Sequence, residues 1–158
     1  MSVVTINKER TILTGYGKDI PILNIVRNEV NGWRKLTEKC VYTENFDGSK
    51  GVPYMPRLFP TGNWNIVGFN PETEPYLYPF FIITNAWQEV DEWLIKPDGS
   101  YDKPSGVKVK DYGYGIHFSV STTTLGCIRI VNQTDLLWFK NQIETSLNSK
   151  ETINLEVY

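Results

Sequence analysis

Apolar residues in this chain repeatedly fall on every second position, in short runs closed by glycine, proline, asparagine or aspartate. Trp64 and Ile66, Val107 and Val109, and Ile153, Leu155 and Val157 all follow this spacing. A period of two turns alternate side chains toward a core and toward water, whereas a helix needs spacings of three and four. The chain is therefore expected to be mainly β, with short strands joined by turns. At 158 residues it is expected to form a single domain over residues 1–158, long enough to bury roughly two thirds of its unfolded surface. A hydrophobic content of 41% with 22% charged residues excludes a disordered chain. A net charge of −2 and the lack of any Lys/Arg-rich block argue against nucleic acid as a partner. Five Trp, nine Tyr and seven Phe suit strands, and also suit grooves that hold sugars or peptides.

Taken in order, residues 11–14 form a β-type run, 15–19 a turn, and 20–26 a strand with Pro21 at a first or edge position. Residues 39–43 follow as a strand, closed by a turn over 45–48. Pro60, Thr61 and Gly62 stand ahead of an alternating run, which predicts a turn into a strand. Residues 76–83 read as a central strand entered after Pro79. Residues 85–95 fit either a short helix capped by Asn85 or a strand. A turn is expected over 96–100, a loop over 101–106 and a half-exposed strand over 107–110. Asp98, Asp102 and Asp111 lack the loop signature of a cation site, so solvated turn residues are expected and no metal. A helix capped by Asn132 or Thr134 should run to about Leu147, with Leu136, Leu137, Ile143 and Leu147 on its inner face. Residues 152–158 alternate as a final strand.

The chemistry concentrates in residues 114–130, which hold the only histidine, His117, and one of the two cysteines, Cys127. A thiolate is the reactive form of cysteine. An imidazole within reach can take the thiol proton and return it to a leaving group. Ile116 and Val120 read as strand, the Ser/Thr run as a loop, and residues 127–130 as a second strand. Gly126 permits a positive φ or a close backbone approach just before the thiol, and N–H groups at such a corner suit an oxyanion. By residue type alone, the pair fits equally a surface imidazole and a buried core thiol. Cys40 is expected as a buried thiol, since a bridge to Cys127 would block the nucleophile.

The order Ile116-His117, a Ser/Thr-rich loop, then Thr124-x-Gly126-Cys127-Ile128-Arg129 resembles the active-site motif of the L,D-transpeptidase catalytic domain family. These are cysteine enzymes that act on the stem peptides of bacterial peptidoglycan. Pro60-x-Gly62-x-Trp64 is similar to the Pro-x-Gly-x-aromatic strand that lies upstream in the family. The resemblance covers about residues 60–158, within a motif-bearing part that begins near residue 52. It implies a mixed β-sandwich of two packed or partly closed sheets, with one C-terminal helix packed on it. It also implies L,D-transpeptidase or L,D-carboxypeptidase activity through a thioester on Cys127, with His117 as base and then acid. The backbone carbonyl of Phe118 would orient the imidazole, and the N–H groups of Gly126 and Cys127 would hold the oxyanion. Arg129, Thr124 and Tyr114 would bind substrate, although an internal ion pair orienting the loop is an equal reading of Arg129. No cofactor is implied.

The sequence departs from the family in its shorter His–Cys loop, in Phe118 where Ser or Gly is usual, and in Leu125 where a histidine or glycine is common. A short loop is shared with compact phage-encoded and effector-like relatives. The first thirteen residues lack the basic start and apolar core of a secretion signal, and no run is long enough to span a bilayer. The resulting expectation is synthesis in the cytoplasm and action at the bacterial cell wall. Two alternatives remain: a catalytically silent phage module with the same fold, and a cysteine hydrolase of other specificity.

Overall fold

Eight strands of the protein close on themselves, and an unanticipated N-terminal strand completes the ring. The computed structural model describes residues 1–26, 40–41, 52–71, 80–98, 101–124 and 126–158. In chain order the elements are β1 (Ser2–Ile6), β2 (Ile12–Gly15), β3 (Lys18–Leu23), β4 (Cys40–Val41), β5 (Val52–Pro53) and β6 (Gly62–Pro71). Then come β7 (Phe80–Thr84), β8 (Gln88–Ile95), β9 (Tyr101–Asp111), β10 (Gly115–His117), β11 (Ile128–Ile130), α1 (Gln133–Asn148) and β12 (Ile153–Val157). The barrel order is β1, β12, β6, β7, β10, β11, β3, β2, and β2 pairs back to β1. Two neighbouring pairs, β1–β12 and β10–β11, are parallel; the others are antiparallel. The chain is mainly β, but the expected sandwich is corrected to a closed barrel. The physical reason is β1, which bonds to β2 on one side and to β12 on the other and so leaves this sheet no free edge.

Alternation fills the barrel. Val4, Ile6, Leu13, Ile20, Ile22, Ile66, Ile82, Ile116, Ile128, Ile130, Ile153, Leu155 and Val157 are all buried in one core. Register sets them opposite one another, as Val4 with Leu155, Ile6 with Leu13, Leu13 with Ile20, and Ile116 with both Ile128 and Ile82. β-branched side chains dominate because they fit a pleated, packed surface. Helix α1 adds Leu136, Phe139 and Ile143 to the same core. Its inner stripe therefore runs through Phe139 rather than the expected Leu137, which is 44% exposed. Asn132 takes the extended N-cap conformation (φ −113°, ψ 133°), as anticipated, but makes no side-chain cap bond. Asp135 in the first turn complements the positive end of the helix dipole and pairs with Lys18 at 3.0 Å.

The segment that fitted helix or strand is strand β8, and the expected loop over 101–106 is part of β9. The two form a separate ribbon in which Asp91 lies opposite Lys108, with their charges 2.7 Å apart. Trp93 packs edge-on against Tyr101 at 5.7 Å, and Val90, Val109 and Tyr54 make a small second core. These cross-strand pairs hold a segment whose Gly and Pro residues suggest a loop. Gly62 has φ +137° and opens β6, so the Pro-x-Gly turn leads into a strand as expected. The strand expected to reach Val26 ends at Leu23. Pro79, the turn over 45–48, much of the strand over 39–43 and the Cys40 side chain lie outside the described residues. Leu155→Ala should cost about 2–5 kcal/mol through loss of barrel packing, while Leu137→Ala should stay within about 0.5 kcal/mol; urea unfolding of both variants checks this contrast.

Candidate active site

Strands β10 and β11 bring the predicted residues onto one face. Ile116 pairs with Ile128 and both point into the barrel, so Gly115, His117, Cys127 and Arg129 fall on the other face. His117 is in register with Arg129. Cys127 thus sits across from the strand start at Gly115, offset from His117 by two residues, or about 6.6 Å along a strand. The two groups are diagonal neighbours on adjacent parallel strands.

Cys127 carries a free, half-buried thiol. The Gly115 N–H donates to its Sγ (3.4 Å), and the thiol donates toward the Gly113 carbonyl (3.6 Å). Burial pushes this thiol up to about 11, helped by the charge of Asp111 and opposed by the Gly115 N–H. The resting group is therefore protonated at neutral pH. His117 is 3% exposed, and its ring stacks on Phe81, its antiparallel partner, with centroids 5.8 Å apart and planes 19° from parallel. Arg129 is buried as well. Its Nε donates to the Ser119 carbonyl at 2.7 Å, and its guanidinium lies over the Phe118 ring at 5.2 Å. Arg129 therefore ties down the start of the loop after the histidine, through a carbonyl rather than an ion pair.

The glycine before the cysteine is required by geometry. Gly126 has φ +124°, and a Cβ there would lie 2.6 Å from Tyr114 Cε1 and 2.7 Å from the Arg57 carbonyl oxygen. The group that approaches it closely is thus the protein's own wall. Its N–H donates to Thr124 Oγ1 (3.1 Å), and the same hydroxyl donates to the Cys127 carbonyl (2.7 Å). Thr124 also gives its backbone N–H to the Ile25 carbonyl at 2.9 Å. Thr124 is accordingly a shaping residue of the turn, buried to 5% exposure. Leu125 lies outside the described residues.

Asn24 and Gln88, neither with a sequence signal, complete the surroundings together with Asp111. Asn24, 6% exposed, donates from Nδ2 to the carbonyls of Gly126 (3.0 Å) and Cys127 (3.3 Å). Its Oδ1 accepts from the Phe59 N–H (3.1 Å) and from Arg10 Nη1 (2.8 Å). Tyr114 is buried; its hydroxyl donates to Asp111 Oδ2 (2.6 Å) and accepts from Gln88 Nε2 (2.8 Å). Gln88 Nε2 also donates to the Leu58 carbonyl at 2.7 Å. Asp111 corrects the expectation of a solvated turn residue, because it ends β9 at 3% exposure; Asp98 and Asp102 are exposed. Burial raises the Asp111 carboxyl to about 6, against the pull of the Tyr114 hydroxyl. Burial and the Asp111 charge in turn push the Tyr114 phenol upward. An aspartate closing an alternating strand just before Tyr112-Gly113-Tyr114-Gly115 is the signal that would have marked it. Among the described residues no group of three or more His, Cys, Asp or Glu side chains is placed to hold a metal.

No family model, curated protein or solved structure matches this chain. Among the described residues no helix is long and apolar enough to cross a membrane.

Two outcomes follow from the buried polar groups. Folded Asp111 keeps its proton to about pH 6, against an ordinary value of 3.8. Stability should therefore fall as pH rises from about 4 to 6 and then level off. Asp111→Asn should remove that decline and gain about 2–3 kcal/mol at pH 7, read from urea midpoints at the two ends of the range. Asn24→Ala strands the Phe59 N–H and the Gly126 carbonyl in the interior, and should cost about 1–3 kcal/mol with little change in the far-UV spectrum.

Proposed function

We propose that this chain is a cysteine acyl-transfer enzyme, an L,D-transpeptidase or L,D-carboxypeptidase of peptidoglycan stem peptides that works at the bacterial cell wall. The observation that carries this reading is the placement of His117 and Cys127 on one face of adjacent parallel strands, the cysteine following a glycine corner. Support also comes from the order of elements, in which the Pro-x-Gly strand β6 precedes the histidine and cysteine strands, and a helix and a final strand follow.

In this mechanism the thiol proton passes to His117 as Sγ attacks the carbonyl carbon of the bond before a terminal D-alanine. The C–S bond forms as the carbonyl π pair moves to oxygen. Because the Gly126 N–H is already donated to Thr124 Oγ1, the Cys127 N–H is assigned to the oxyanion. The C–N bond then breaks, His117 protonates the departing amine, and a thioester remains. An amine of a second stem or a water molecule attacks that thioester, giving a cross-link or a shortened stem and returning the proton to Sγ. A thiol held near 11 requires proton removal in step with attack, which is the task given to His117. Arg129, Thr124 and Tyr114, all buried, act as positioning residues for the loop and the glycine corner, while the Phe118 carbonyl makes no hydrogen bond to Nδ1 of the imidazole.

A second reading, a silent module with the same fold, is favoured by the raised thiol and the engaged Gly126 N–H. Mass spectrometry of disaccharide-tetrapeptides incubated with the protein separates the two. The enzyme reading expects loss of terminal D-alanine or stem dimers, absent in Cys127→Ala and slowed about 10²–10⁴-fold in His117→Ala. Unchanged stems, together with Cys127 alkylating at pH 7 at the same rate in the unaltered protein and in His117→Ala, would establish the silent module.

A further inference from the structure

A cleft of about 510 Å³ opens beside the Gly126 corner, walled by residues 55–61 with Val26, Arg10 and Gln88. It adjoins the corner because the Arg57 carbonyl packs against Gly126 and Val26 bridges to Thr124. Of the described residues lining it, the charged ones are both cations, Arg10 and Arg57, and Val26, Met55, Leu58 and Pro60 supply apolar wall. A volume of this size is within the range of small-ligand sites.

Arg10 is held in an unusual way. Its backbone is in the left-handed region (φ 60°), closing a turn through its N–H to the Asn7 carbonyl at 3.0 Å. Its Nη1 donates to Asn24 Oδ1 (2.8 Å) and to the Phe59 carbonyl (2.6 Å), which uses both hydrogens of that nitrogen. The Nε–H and the two Nη2 hydrogens are left over, and they form one edge of the planar guanidinium. Among the described residues no carboxylate lies within ion-pair distance of Arg10. The group is partly buried, and that burial works against its charge, as expected of a cation without a counter-ion. Such an edge matches the two oxygens of a carboxylate in a bidentate pair. Anchoring the opposite nitrogen fixes the fork beforehand and lowers the ordering cost of binding.

We propose that this cleft is a binding site for the terminal carboxylate of a short apolar peptide, gripped by the Nε–Nη2 edge of Arg10 with its side chains against Val26, Met55 and Leu58. The site uses none of the groups assigned to acyl transfer, so it stands or falls separately from that reading. Its link to the cysteine backbone is Asn24, which bonds to Arg10 on one side and to the Cys127 carbonyl on the other.

Calorimetric titration of the full chain, carried out in the Cys127→Ala background so that no turnover interferes, tests the site. The probes are acetyl-leucyl-alanine as the free acid, the same peptide as its C-terminal amide, and acetate. The free acid should bind, with the amide and acetate each at least tenfold weaker. Arg10→Lys, which keeps the charge but loses the fork, should weaken the free acid at least tenfold. Leu58 is 48% exposed, so Leu58→Asp should fold normally and still weaken the acid at least tenfold by setting a like charge in the wall. Equal binding of acid and amide, acetate as tight as the peptide, an unaffected Leu58→Asp variant, or no binding at all would each overturn the proposal.

Discussion

The clasp made by Asn24 is the interaction on which the functional end of this molecule depends. One buried amide satisfies two carbonyls of the Gly126–Cys127 corner and one N–H at Phe59, and it anchors a guanidinium. Buried polar groups without partners cost more than a formed bond gains, so each segment is held largely by the penalty of letting go. The end of β3 and the cysteine corner already meet through the β3–β11 ladder and the Thr124–Ile25 backbone bond. The extended stretch around Phe59 is far from both in sequence, and the Asn24 side chain, with two donors and an acceptor, fastens it to them.

How much of this was legible in the sequence depended on whether a signal was local. Alternation at Ile153, Leu155 and Val157 marked β12, and Pro60-Thr61-Gly62 marked the entry to β6, because each is set by neighbouring residues. His117 and Cys127 were legible as a pair of types and as two strands, and their common face followed only from the parallel register. Barrel closure was not legible, since Ser2–Ile6 becomes a strand only by pairing with β12 and β2. The β9 segment over 101–106 carries Pro104 and Gly106, which weaken a strand locally, and Trp93 and Tyr101 override them from across the ribbon. Asn24 and Gln88 left no trace because a lone polar residue reads the same at the surface and in the interior. Phe139 takes the inward place expected of Leu137 on α1, since both fit an apolar stripe and the packing on the barrel selects one.

The surroundings of the thiol pull in two directions. A half-buried sulfur next to the Asp111 carboxylate resists ionisation, while the Gly115 N–H favours it. A reactive cysteine at rest would normally sit among positive charges. Here Arg129 is committed to Ser119 and Arg10 to the other side of the Asn24 clasp. A thiol kept protonated in this way is a weaker target for oxidation, which follows thiolate character. In the acyl-transfer reading, its chemistry waits for a substrate that excludes water and for the imidazole two residues along the neighbouring strand.

The pairing of β1 with β12 sets when the molecule can exist at all. Ser2 lies opposite Ile153 and Ile6 opposite Val157, so the seam joins segments separated by nearly the whole described chain. Contacts this distant slow folding, because a large loop must close before the contact repays it. During synthesis β1 and β2 can form a hairpin early, yet its outer edge stays open until β12 has left the ribosome. The cysteine corner is joined to that hairpin through β3, so its clasp tightens on a sheet that is still unsealed. The nascent chain therefore passes through a stage with a bare strand edge, the species most exposed to mispairing with other chains, and the arrival of β12 ends it.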